Sequence, residues 1–259
     1  MARTTRSPGT EPGHTESVST THDGNRTAPL MIPIHNLSWG PLYRIGGYSA
    51  FVFVALVLIP VVLVFAAPLP PTEGRELLEY IATHKVVYLV ELVSFVGLAV
   101  PALLMFAALS MALSTINRSL ALVGGLLGVA SETIALALGS SPQSLHGGLV
   151  VLSDAYATAG TEQQASLVAA AEALIAATNA VSWAGILTAG AILVLSCVMW
   201  QGRWGRALAV VGIATGAIGI VSEALRPVIG SGYLLYGLLL PVWVAWAGSR
   251  LLHHRRPAE

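Results

Sequence analysis

Lysine is nearly missing from this chain: Lys85 is the single one among thirteen Lys and Arg residues. Cysteine is as scarce. Cys197 stands alone, which excludes an intrachain disulfide and any metal site built on cysteine pairs. It lies in an apolar run and reads as a small core residue. Charge is scarce too. Only 10% of residues are charged, against roughly 25% in a soluble domain, so a solvated globular surface is excluded. The formal net charge is zero, and without a basic field there is no partner role for nucleic acid. The seven histidines, His14, His22, His35, His84, His146, His253 and His254, fall in tails or loops, which excludes a haem held between membrane spans. No GxxxxGK[ST] loop, GxSxG elbow or HExxH pair occurs, so no nucleotide, nucleophile or zinc chemistry is signalled. The sequence thus points to no cofactor, no metal and no catalytic residue. Its first reading is non-enzymatic.

What the chain has is apolar length. Hydrophobic residues make up 55% of it. Six runs approach the ~20 apolar residues needed to cross a bilayer: about 46–67, 86–113, 120–138, 177–200, 207–225 and 233–252. The expected fold is all-α, an integral membrane bundle of six transmembrane helices over 43–252. Pro60, Pro101 and Pro241 lie inside spans as kink sites. Residues 1–42 are rich in Thr, Ser, Gly and Pro and are expected to be a disordered cytoplasmic tail. Trp39, Tyr43 and Tyr48 bracket Arg44 as an interfacial anchor would. Residues 253–259 form a basic cytoplasmic tail suited to anionic lipid.

The connections are of two kinds. Residues 114–119 and 201–206 are short turns. On the other side, 68–85 carries a short helix after Thr72 with Glu73, Glu76 and Glu79. The 139–175 segment reads as a Gly/Ser-rich loop, then an Ala-rich helix opened by Thr161 with Gln164 three residues on. That helix is expected to run unbroken into the fourth span. Arg44, Arg118, Arg203, Arg206 and Arg250 gather on the side of the termini, while Arg75, Lys85 and Arg226 fall on the other. The positive-inside rule then puts both termini in the cytoplasm. The Arg-rich, Lys-poor composition is that of a GC-rich bacterial gene, so the expected location is a bacterial inner membrane.

Two spans share a skeleton. Gly125, Gly128, Ser131, Glu132, Gly139 and Ser140 match Gly216, Gly219, Ser222, Glu223, Gly230 and Ser231 at one constant offset. The offset would make spans two and three and spans four and five a parallel duplication. On a helix these positions share a face, and Gly125, Gly128, Gly212, Gly216 and Gly219 read as helix-packing residues. The same stripes could serve close packing within one chain or a homo-oligomer.

The acids sit at a common depth. At ~1.5 Å of rise per residue, Glu132 and Glu223 lie in the half of the membrane away from the termini. Glu91 does too, and Arg226 and Asn179 fall near that level, with Tyr233 and Tyr236. Lipid-facing charges there would cost several kcal/mol, so these groups should face inward and pair. Glu223 and Arg226 can pair at i, i+3, and Arg226 could also reach Glu132 or Glu91. Three carboxylates and one guanidinium do not balance. One Glu should then be protonated, or meet a cation, a ligand or water. Glu91, Glu132, Glu223, Arg226 and Asn179 are therefore the candidate ligand- or ion-binding residues. Two roles follow: a structural, sensory or accessory protein with a buried polar network, or a small-solute or proton-coupled transporter using that layer. Its certain partner is the lipid bilayer. A third role, an intramembrane enzyme, would rest on Ser131 or Ser222, and no base lies in reach of either.

The stretches Asn117–Gly125 and Trp200–Gly212, with Arg203 and Trp204 in the short turn, resemble a family of uncharacterised bacterial six-span membrane proteins, a domain of unknown function. The resemblance covers about residues 43–252. The family's turn carries Leu-Pro before the arginine, and this chain does not. The resemblance implies architecture only, with no activity, substrate or catalytic residue.

Overall fold

The computed structural model describes residues 39–254 except 64, 66, 139–146, 182–183 and 230–231, and leaves the side chains of 179–181 and 227 undescribed. The expected tail thus lies outside the described residues up to 38, as do Gly139, Ser140, Gly230 and Ser231 of the repeat. The first helix begins earlier than expected, at Gly40.

Hydrocarbon offers no hydrogen-bond partner to a peptide group, so a chain this apolar must bond its backbone within each segment. Every regular element among the described residues is accordingly a helix. Six are long and apolar enough to cross a membrane. The chain runs through α1 (Gly40–Leu63), α2 (Gly74–Gly97) with α3 (Ala99–Leu113), α4 (Arg118–Leu138), α7 (Ala184–Gln201), α8 (Arg206–Ala224) and α10 (Tyr233–His253). Six crossings return the chain to the side on which α1 starts, here the terminal side. The opposite, cap side holds α5 (Gly147–Thr158), α6 (Thr161–Val181) and the four-residue α9 (Arg226–Ile229).

Prolines set the breaks. Pro101 has no N–H for the carbonyl of Gly97, and α2 gives way to α3 at Leu98 while the chain direction continues. Pro227 likewise cannot bond the carbonyl of Glu223, and α8 ends at Ala224. The second span is longer than expected. Its helix starts at Gly74, and a non-helical residue, His84 (φ −121°, ψ 34°), separates the cap turn from the membrane part.

The expected unbroken helix through 161–200 is described as α6 and α7, which have different neighbours, and residues 182–183 between them lie outside the described residues. α6 packs on α2 and α5, whereas α7 packs on α4 and α8. The Gly/Ser-rich reading of 139–160 missed α5, which buries Leu149 and Tyr156. With the start of α2 and with α6, α5 encloses a second core of Leu77, Leu78, Ile81, Tyr88, Leu149 and Ala171. Glu172 of α6 accepts a hydrogen bond from the first N–H of α2, at Gly74, at 2.6 Å, so a side chain from another helix caps an N-terminus. Ser153 donates to the Leu78 carbonyl at 2.7 Å, and Lys85 pairs with Asp154 at 2.6 Å.

Inside the bundle, α1 packs on α3 and α10, and the hairpins α3–α4 and α7–α8 join through α4 and α7. The terminal half is dry and large-residue packed, with Met105, Phe106, Leu109, Ile192, Leu195, Met199 and Trp243 all at 1% exposure or less. Outward faces stay apolar, as Val52, Val61, Val93, Leu126 and Leu238 show, which suits lipid as the surrounding medium. Each glycine stripe packs on the span before it. Gly125 and Gly128 meet Ser110 and Phe106 of α3, and Gly216 meets Ala189 and Leu193 of α7. Gly212 lies against Ser196 and Trp243, and Gly219 against Tyr236 and Ala189.

A methyl group on Gly216 would sit 2.7 Å from the Ala189 carbonyl oxygen, whereas one on Gly190 would meet only Leu127, at 3.8 Å. Gly216→Ala should therefore force α7 and α8 apart and cost about 1–3 kcal/mol. Gly190→Ala should be neutral or gain up to about 1 kcal/mol from helix propensity. Denaturation of both variants in detergent checks the contrast, and equal effects would contradict the packing described.

Candidate functional site

In the cap-side half the packing opens into a partly enclosed cavity of about 110 Å³. All six spans reach it: Phe53 from α1, Leu98 from the α2–α3 joint, Glu132 from α4, Thr188 from α7, Glu223 from α8 and Tyr236 from α10. Local structure places the charges. α8 carries Glu223 on the same face as its glycines, one turn from Gly219. The helix then stops before Pro227, and Arg226 turns back on it. Arg226 Nη2 lies 2.8 Å from Glu223 Oε2. The same nitrogen donates to Tyr233 Oη at 2.8 Å, and Tyr233 Oη donates to Glu223 Oε1 at 2.7 Å. The guanidinium carbon also lies 5.1 Å from the centre of the Tyr233 ring. Acid, base and phenol thus close a ring of charge-assisted contacts.

Glycine makes room for this ring. A side chain at Gly185 of α7 would fall within 2.6 Å of Glu223 Oε1, so only glycine lets the carboxylate lie against α7. The satisfaction is incomplete. Glu223 Oε2 faces Arg226 without hydrogen-bond geometry, and Arg226 Nε and Nη1 are buried with no hydrogen-bond partner among the described residues. Such atoms carry a full desolvation cost unless something in the cavity meets them.

Glu132, buried at 4% exposure, has different company. Thr188 Oγ1 lies 3.2 Å from Glu132 Oε1 and 2.6 Å from Ser131 Oγ, and Ser131 Oγ lies 2.7 Å from the Ala184 carbonyl oxygen. The sequence alone allowed Arg226 to reach Glu132 or Glu91, but among the described residues its ion pair is with Glu223.

Of the expected site residues, Glu132, Glu223 and Arg226 come together, with Tyr233 and Tyr236 beside them. Glu91 does not line the cavity. It is buried at 4% exposure on α2, and no hydrogen bond or ion pair reaches it among the described residues. Asn179 lies near the end of α6, and its side chain is outside the described residues. Thr188 and Gly185 were missed. A threonine in an apolar run is a weak signal, because it can bond the carbonyl four residues back, as Thr178 and Thr215 do here.

The six spans and their buried polar cavity make this a polytopic α-helical membrane protein. No protein-family model, curated protein or solved structure matches the chain. The likeness to a six-span family rests on the residues quoted above.

The two acids should respond differently to neutralisation. Glu223→Gln leaves a buried guanidinium without its counter-charge and should cost about 3–5 kcal/mol. Glu132→Gln keeps a hydrogen-bonding partner for Thr188 and should stay within about 1 kcal/mol of wild type. Thermal melts in detergent separate the two, and an equal loss in both would refute the asymmetry.

Proposed function

We propose that this is a non-enzymatic protein of a bacterial inner membrane, with its terminal side in the cytoplasm, that binds a small polar solute in the cap-side cavity in a sensory or accessory role. One observation carries the reading. Arg226 lines the cavity, and its Nε and Nη1 are buried with no hydrogen-bond partner among the described residues. The cavity, at about 110 Å³, suits a small solute. Free guanidinium N–H groups call for an acceptor. The carboxyl and hydroxyl oxygens that line the cavity call for a donor. A small zwitterion or amide offers both.

A hydrogen count supports a proton in the same site. Glu132, Thr188, Ser131 and the Ala184 carbonyl make three successive contacts, yet the two hydroxyls supply only two hydrogens. A neutral carboxylic acid at Glu132 supplies the third and lets each group donate to the next. This also matches one guanidinium to one carboxylate. Ser131 is occupied in that chain, which argues against a role as nucleophile. Orientation rests on charge: among the described residues the terminal side carries Arg44, Arg118, Arg203, Arg206 and Arg250 and no acid.

A proton- or solute-coupled carrier is the second reading. Its support is in the tightly packed half, where Ser196 Oγ and Trp243 Nε1 lie beside Gly212, both buried with no hydrogen-bond partner among the described residues. The tight packing around them counts against a path to the terminal side.

Thermal stability of the purified protein, measured against glycine, alanine, acetamide and methylamine, tests the binding reading. A binding solute at a hundredfold excess over its Kd should stabilise wild type by about 2.7 kcal/mol. The response should vanish in Tyr233→Phe, which removes the hydroxyl joining Arg226 to Glu223. No response to any of the four would leave the layer a structural network. Flux of the binding solute in proteoliposomes would favour the carrier.

A further inference from the structure

On the opposite face of the bundle, a cleft of about 450 Å³ lies among the ends of α3, α7 and α10. Its lining includes Thr115, Gln201, Arg203, Trp204, Arg250 and His253. The cations come from two places in the chain. Arg203 sits in the turn between α7 and α8. Arg250 and His253 sit three apart in the last turns of α10, hence on one face.

Three features mark this as a built site. First, among the described residues no ion pair involves Arg203 or Arg250 and no acid lies on this side. Second, two of the basic groups are held. The turn passes through Gly205 at φ +106°, a conformation that favours glycine. A side chain there would also come within 3.1 Å of Arg250 Nη2, so the guanidinium lies close against the turn. His253 Nδ1 is 2.6 Å from the Ser249 carbonyl oxygen. A carbonyl only accepts, so Nδ1 carries the hydrogen and Nε2 is left for a ligand. Third, the floor is firm. Trp204 is buried at 5% exposure and stacks on His254 with ring centres 5.2 Å apart.

We propose that this cleft binds a phosphate group. Arginine forks match phosphate oxygens with short charge-assisted bonds, and the Gln201 amide adds a neutral donor. The level is that of lipid headgroups. Trp200 and Tyr48, exposed at 51% and 64%, stand at this end of the bundle where interfacial aromatics belong. Basic pockets at the ends of membrane helices take phosphate-bearing headgroups. The phosphate can come from an anionic phospholipid or from a soluble phosphate ester.

The test measures stabilisation of the full chain in nonionic detergent by short-chain phosphatidylglycerol, short-chain phosphatidylcholine and glycerol 3-phosphate. Wild type is compared with Arg203→Gln, Arg250→Gln and, as a control outside the cleft, Arg118→Gln. Saturable stabilisation by phosphatidylglycerol, weakened about tenfold or more by either cleft variant and unchanged in Arg118→Gln, is the expected result; a tenfold loss corresponds to about 1.4 kcal/mol. If phosphatidylglycerol acts and glycerol 3-phosphate does not, the source is lipid. If both act with the same arginine dependence, the site takes soluble phosphate esters. Equal responses in all variants, or none in wild type, would overturn the proposal. Should one cleft variant fail to fold, the other carries the comparison.

Discussion

A guanidinium inside an apolar bundle has to be neutralised where it stands, because the charge cannot reach water at that depth without unpacking helices. Arg226 sets this demand, and much of the cap-side half answers it. Glu223 supplies the counter-charge at 2.8 Å. Tyr233 joins both groups through a single hydroxyl. Pro227 ends α8 so that the arginine can fold back. Gly185 leaves the carboxylate room against α7, and Gly219 does the same for Tyr236. The small residues of α8 thus serve two ends: helices approach closely, and the space gained is filled by the charged ring rather than by methyl groups.

The two glycine-and-acid stripes are alike in sequence and unlike in company. Each packs on the preceding span. Yet Glu223 meets a cation and Glu132 meets two hydroxyls. The difference follows from what comes next in the chain. After Glu223 the helix breaks and offers Arg226. After Glu132, α4 continues to Leu138 and offers only apolar side chains and Thr133, which bonds the Val129 carbonyl. One acid is therefore tied into an ion pair, while the other is held by a threonine hydroxyl in the same cavity.

Polarity is divided across the bundle. The terminal half is filled by large side chains such as Phe106 and Trp243, and its outer rim carries arginine without acid. The cap half holds the cavity and a second core built from α2, α5 and α6. A solute would therefore meet acid and hydroxyl groups on one face and cations on the other. The two faces suit different ligands, a small polar solute on one side and a phosphate on the other.

Residues 46–252 disclosed their membrane character through composition and run length, because the bilayer limits a spanning chain to helices whose length it sets. The packing role of Gly125, Gly128, Gly212, Gly216 and Gly219 was legible for a similar reason: spacing on a helix decides which residues share a face. The Glu223–Arg226 pair was legible as one local option, because the two residues lie only three apart in the chain. What the sequence left open depends on neighbours distant in the chain. Arg226 could have chosen Glu132 or Glu91, and only the packing of α4, α8 and α10 decided for Glu223. Glu91 shares the depth of the other acids but does not line their cavity, since depth along a helix says nothing about which neighbour its face meets. Thr188, Gly185 and the whole of α5 escaped notice for the same reason. Their roles arise from tertiary contacts, where a hydroxyl or an absent side chain matters only once another helix is set against it.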